Sequence, residues 1–90
     1  MVQYEIRIRG RVQGVGFRCY TQKQAELFNL KGWVRNSADG SVLVMVQGDK
    51  EVIDTFIDYL RIGTTMSRVT QISTVLVTPG EKFMDFRIKS

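Results

Sequence analysis

From Val2 to Ile8 apolar and polar residues alternate, with Val2, Tyr4, Ile6 and Ile8 on one side of an extended chain and Gln3, Glu5 and Arg7 on the other. That period of two belongs to a strand with one buried face. Residues 18 to 29 are rich in helix formers, and Thr21, Ala25 and Phe28, at spacings of four and three, would make an inward stripe. Gly32 to Asn36 and Ser41 to Gln47 are β-rich runs separated by Ser37, Ala38, Asp39 and Gly40. Asp-Gly at 39–40 is a strong hairpin signal, so these two strands are expected to pair. Asp49 suits a helix N-cap, with Glu51 in the first turn, and Val52, Ile53, Phe56, Ile57 and Leu60 recur at helical spacing until Gly63. Ile72 to Val77 reads as a fourth strand. Met84, Phe86 and Ile88 alternate with Asp85 and Arg87 in a short final one.

The order is βαββαβ with an extra terminal strand. Two helices carrying one apolar stripe each can cover one face of an antiparallel sheet, which predicts an α+β, ferredoxin-like two-layer α/β sandwich. No repeat, low-complexity tract or linker interrupts residues 1–90, and the only proline is Pro79, so one domain is expected. The apolar runs are far shorter than the roughly 18–20 residues that cross a bilayer, and the first residues lack the charged and apolar regions of a signal peptide. A cytoplasmic location, with no membrane association, is the expectation.

Charge and rare residues narrow the chemistry. Thirteen basic side chains against nine acidic ones give a net charge of +4, which favours an anionic partner without choosing among nucleic acid, an acidic surface and a small phosphorylated substrate. There is no histidine, and Cys19 is the only cysteine. An internal disulfide is therefore impossible and the usual clustered zinc ligands are missing.

Residues 10 to 18 read Gly, Arg, Val, Gln, Gly, Val, Gly, Phe, Arg, between the end of a strand and the start of a helix. Glycines let backbone N–H groups converge on an anion, and a helix N-terminus adds unpaired donors and a positive dipole end. Arg18, opening the helix, could fork two oxygens of a phosphoryl group. No Lys-Ser/Thr pair follows the glycines and the dinucleotide spacing is missing, so ATP and NAD are poor ligands for it. From the glycines alone, a plain turn with a solvated arginine explains the segment equally well. In the second strand, alternation places Gly32, Val34 and Asn36 on one face and Trp33 and Arg35 on the other. Asn36 is either a strand-end turn former or a site residue.

Gly10-Arg11-Val12-Gln13-Gly14-Val15-Gly16-Phe17-Arg18, followed by Gly32-Trp33-Val34-Arg35-Asn36 and Asp39-Gly40-Ser41-Val42, closely resembles the two signatures of the acylphosphatase family. The likeness spans essentially the whole chain. It implies the ferredoxin-like fold and hydrolysis of acyl phosphates to carboxylate and inorganic phosphate, with no metal or organic cofactor. By the same resemblance the phosphate-binding arginine falls on Arg18, the water-orienting asparagine on Asn36, and the loop backbone donors on Gln13, Gly14, Val15, Gly16 and Phe17. One departure is Phe28-Asn29-Leu30, where members more often have Leu-Gly-Leu; Asn29 is then the expected left-handed residue at the helix exit.

An acyl phosphate suits a chain without histidine, because the departing carboxylate is a weak base that needs no proton from a strong acid. The expected partners are thus a small acyl phosphate and inorganic phosphate, acting on a monomer with no nucleic acid bound. Cys19 has no histidine to activate it and is read as a packed or half-exposed thiol. Tyr20, Trp33 and Tyr59 are read as core or rim aromatics, and Arg7, Arg9, Arg11 and Arg35 as anion-steering or simply solvated charges. The rival class is a nucleic-acid-binding module, since RNA-recognition domains share the βαββαβ order. The third strand, Ser41-Val42-Leu43-Val44-Met45-Val46, carries no aromatic recognition run. A further alternative is an accessory module without hydrolase activity, because acylphosphatase-like domains also occur inside larger carbamoyl-transfer proteins.

Overall fold

In the computed structural model, which describes residues 1–90, the elements follow in the order β1 (Val2–Arg11), α1 (Phe17–Leu27), β2 (Lys31–Asn36), β3 (Val42–Gly48), α2 (Lys50–Ile62), β4 (Arg68–Val77) and β5 (Phe86–Ile88). The five strands form one sheet in the order β4-β1-β3-β2-β5. Strands β1 to β4 pair antiparallel, while β5 joins the edge of β2 in parallel through Gly32↔Phe86 and Val34↔Ile88. The expected two-layer sandwich is therefore present.

Its core lies between one face of the sheet and the two helices. Ile6 and Ile8 from β1, Val34 from β2, and Val42, Val44 and Val46 from β3 are fully buried against Ala25 of α1 and Ile53, Phe56 and Leu60 of α2. Alternation along the strands and the i, i+3, i+7 spacing on α2 produce this layer directly. Asp49 stands at the N-cap of α2, but it caps with its backbone carbonyl, which accepts from Ile53 N–H at 2.9 Å, and not with its carboxylate.

Several boundaries differ from the sequence reading. Helix α1 starts at Phe17 and ends at Leu27, so Phe28 is its C-cap residue; it still packs inward against the core, half-buried, with its ring 5.5 Å from that of Tyr59. Asn29 does take the left-handed conformation, at φ 55°, and Leu30 N–H returns to Ala25 O at 2.8 Å to close the helix end. Both β1 and β4 extend further than their apolar alternation, because pairing continues past a bulge between Arg9 and Gly10 to Arg11↔Arg68. Met84 lies outside β5 and is exposed; the segment before β5 is held by Asp85 O, which accepts from Gly32 N–H.

The chain crosses from β4 at one edge to β5 at the other over a buried amide pair. Gln47 Nε2 donates to Gln3 Oε1 at 2.8 Å and to Glu81 O, and Gln47 Oε1 accepts from Phe83 N–H. Both glutamines are almost fully buried on the face opposite the helices, where alternation alone would leave them in water.

Candidate functional site

Strands β1 and β2 are each antiparallel to β3, so they run the same way and end at the same end of the sheet. Strand β4 is antiparallel to β1, which places its beginning there, and β5, parallel to β2, finishes there. The 12–16 loop, the 37–41 turn, the 63–67 turn and the C-terminal residues therefore converge at one end. Topology brings together segments that are far apart in sequence.

Within the 12–16 loop, Gly14 and Gly16 adopt left-handed φ of 73° and 77°, and nothing lies within 4 Å of where a Cβ would project. The second of these is the N-cap of α1. The backbone N–H groups of Gln13, Gly14, Val15 and Gly16, outside every helix and strand, donate to no backbone acceptor. Phe17 and Arg18 begin the helix, where N–H groups have no intrahelical partner. The result is a run of unpaired donors beside a helix N-terminus, an arrangement suited to an anion.

Each neighbouring segment is tied to this run. Gln13 Nε2 donates to Ser37 O at 2.8 Å and Ser41 O at 2.9 Å, locking the loop to the β2–β3 turn. Thr64 Oγ1 donates to Val15 O at 3.0 Å from the turn after α2. Arg18, half-buried, reaches Lys89 O at 3.4 Å, a long contact that leaves most of its donors uncommitted, and Lys89 N–H in turn donates to Val34 O.

Asn36 ends β2 on the helix-covered face, two residues beyond the buried Val34. Its Oδ1 is buried and accepts no hydrogen bond from the protein. Buried polar atoms are seldom left so, which marks this oxygen as an acceptor held for something other than the fold.

The basic residues of β1 serve the turn instead. Arg9 Nη1 lies 3.2 Å and Arg7 Nη1 3.6 Å from Asp39 Oδ2, and Arg7 also donates to Ser37 and Ser41 hydroxyls. The Ser41 hydroxyl and then its backbone N–H, with help from Arg9, hold the Asp39 carboxyl well below the usual carboxylate range. Arg35 and Lys89 lie over the Trp33 ring at 5.4 and 4.8 Å from its centroid. Cys19 is exposed, more open than the packed or half-exposed thiol expected. Two surface cavities, of about 270 and 300 Å³, have no residue of the 10–18 loop or Asn36 in their walls.

A family model described as acylphosphatase matches residues 4–88. The chain belongs to the acylphosphatase family. It is 39% identical over 89 residues to an acylphosphatase of Bacillus pumilus, covering 99% of both chains. It is 49% identical over 70 residues to one from Paraburkholderia xenovorans, covering 78% of this chain and 72% of that protein. The crystal structure of acylphosphatase from Bacillus subtilis superposes with a TM-score of 0.96 at 38% identity, covering the whole of both chains. With the family comes its enzymatic activity, hydrolysis of the carboxyl-phosphate bond of acyl phosphates.

Sequence reasoning singled out the loop, Arg18 and Asn36, which the fold gathers at one end of the sheet. It treated Gln13 only as a backbone donor and passed over Thr64, Ser37 and Lys89. Their contacts join segments 24 to 71 residues apart, so no local pattern announces them. No helix is long and apolar enough to cross a membrane.

Proposed function

We propose that this acylphosphatase holds the phosphoryl group with Arg18 and the N–H groups of Gln13, Gly14, Val15, Gly16 and Phe17, while Asn36 sets the attacking water. The observation that carries the reading is the buried, unpartnered Oδ1 of Asn36, at the same end of the sheet as a loop of unpaired N–H groups.

An amide oxygen accepts a hydrogen bond and cannot usefully take a proton, so Asn36 orients the water without acting as general base. The water oxygen bonds to phosphorus as the bond from phosphorus to the acyl oxygen breaks, and the carboxylate departs with the electron pair. The water's proton goes to a phosphoryl oxygen, giving inorganic phosphate. Charge spread over the phosphoryl oxygens meets the Arg18 guanidinium and the loop donors, which are already in place before the reaction. Nothing in this sequence of steps calls on a metal, an organic cofactor or the thiol of Cys19. The same reading has the enzyme act as a cytoplasmic monomer.

Benzoyl phosphate hydrolysis in the presence of chelator tests these roles. Arg18→Ala is expected to lower kcat/KM by at least ~10²–10³-fold, the cost of removing one well-aimed donor. Asn36→Ala should lower kcat by a similar factor while inorganic phosphate inhibits it as it does the wild type. Undiminished turnover in either variant refutes that residue's assignment, and loss of activity on chelation refutes the metal-free route.

A further inference from the structure

We propose that Thr64, in the turn between α2 and β4, is a positioning residue that fixes the polarity of the phosphate cradle by pinning the Val15–Gly16 peptide; this rests on the phosphate reading given above. Val15 sits between two glycines in left-handed conformations. A peptide so flanked turns over at little conformational cost, and turning over would matter. In a trans peptide the C=O and N–H point in opposite directions, so whichever way the Val15 carbonyl faces, the Gly16 N–H faces the other. With the carbonyl turned inwards, the loop would present an oxygen to an anion in place of a donor.

Thr64 Oγ1 donates to Val15 O at 3.0 Å and thereby holds that carbonyl towards the 63–67 turn, leaving the Gly16 N–H on the opposite side. The turn is itself braced for the task. Thr64 N–H donates to Ser67 Oγ at 2.8 Å, and the Ser67 hydroxyl and N–H both donate to Thr64 O at 3.1 Å. Buried Phe17, the first residue of α1, lies against Gly63 and joins the turn to the helix whose N-terminus completes the cradle. The Thr64 hydroxyl is thus the one side-chain group bonded to the backbone of residues 14–16.

Inhibition of benzoyl phosphate hydrolysis by inorganic phosphate reads the cradle without requiring chemistry on the inhibitor. Thr64→Val keeps the shape and removes the donor; Thr64→Ala removes atoms only and serves if the valine is crowded; Thr64→Ser retains the hydroxyl. The inhibition constant for phosphate is expected to rise about three- to tenfold in Thr64→Val and Thr64→Ala, the scale of one net hydrogen bond. The value for Thr64→Ser should stay at that of the wild type, with kcat/KM following the same order. Unchanged phosphate inhibition in the valine and alanine variants, or an equal rise in the serine variant, overturns the role of Thr64. Arg18→Ala measured alongside separates the two readings: if it still binds phosphate like the wild type, the cradle itself is misplaced, whatever Thr64 does.

Discussion

At the scale of single residues, Gln13 shows how a side chain can govern a site built mainly from backbone. Its amide group donates to two carbonyls, Ser37 O and Ser41 O, and so sets the distance between the donor loop and the turn that follows Asn36. Gln13→Ala should cost about 1–3 kcal/mol for the two bonds, read as a shift of the urea midpoint. It should also lower kcat, because the proposed water position and the proposed phosphate position would no longer be held in register. Gln13→Glu is the sharper comparison, since a carboxylate facing two carbonyl oxygens repels where the amide attracted. Its deficit should exceed that of Gln13→Ala at neutral pH and shrink as pH falls towards the unfolded carboxyl value of about 4.3, because the repulsion makes the folded state take up its proton first. Equal stability of the two variants across that range would show that the amide does not bridge the loop and the turn.

Among the elements, those with a clean period were legible as to type and face, while the edge strands β4 and β5 were legible as strands but with their starting points misread. Helix α2 buries residues at helical spacing, and β1 and β2 bury Ile6, Ile8, Gly32 and Val34 by alternation, so their patterns report both type and face, whereas β3 is buried on both faces and reads only as a β-rich run. Strand β4, at one edge, is exposed along most of its length, and its first residues, Arg68 to Gln71, are held by pairing with β1 and not by an apolar stripe. Strand β5, at the other edge, owes its place to a crossover anchored on Gln47, which composition cannot reveal. Arg18 and Asn36 were singled out by the family resemblance of their motifs, the residue pattern alone leaving a plain turn open at each, whereas Thr64 meets the loop and Lys89 meets Arg18 only through topology. The exit of α1 was legible for a different reason: by resemblance to the family Asn29 stands where a glycine is more common, which marked it as the left-handed residue, and it takes that conformation. Asn29→Val should destabilise the fold by about 1–2 kcal/mol, since a β-branched residue bears the full steric cost of that conformation. The activity of the folded fraction should be unchanged. A parallel loss of kcat would mean that the exit of α1 is coupled to its N-terminal end.

For the molecule as a whole, the absence of histidine removes the one side chain whose ordinary titration falls between pH 5 and 8. The groups whose titration the fold displaces move away from that window. Hydrogen bonds from Ser41, then Arg9, push Asp39 down; the hydrogen bond to Asp54 pushes Lys50 up; burial, then Tyr59, pushes Tyr20 up. For Asp39 the folded state binds its proton more weakly than the unfolded chain does. Its contribution to stability is therefore complete above the unfolded carboxylate value of about 3.9 and is lost as pH falls through the lower folded value. For Lys50 and Tyr20 the sign reverses: their contributions are complete below unfolded values of about 10 and are lost as pH rises through the raised ones. Stability should thus hold a plateau from about pH 5 to about pH 9, with an acid shoulder set by Asp39 on one side and an alkaline one set by Lys50 and Tyr20 on the other. Across the same plateau kcat should stay nearly flat, because on the route proposed above the water's proton passes to the substrate and no protein group is called on to give or take one. Urea midpoints and kcat for benzoyl phosphate, measured at half-unit steps, check both. A bell-shaped kcat centred near pH 7 over a flat stability curve would require a titrating protein group in the reaction, and the substrate-assisted route would then be wrong.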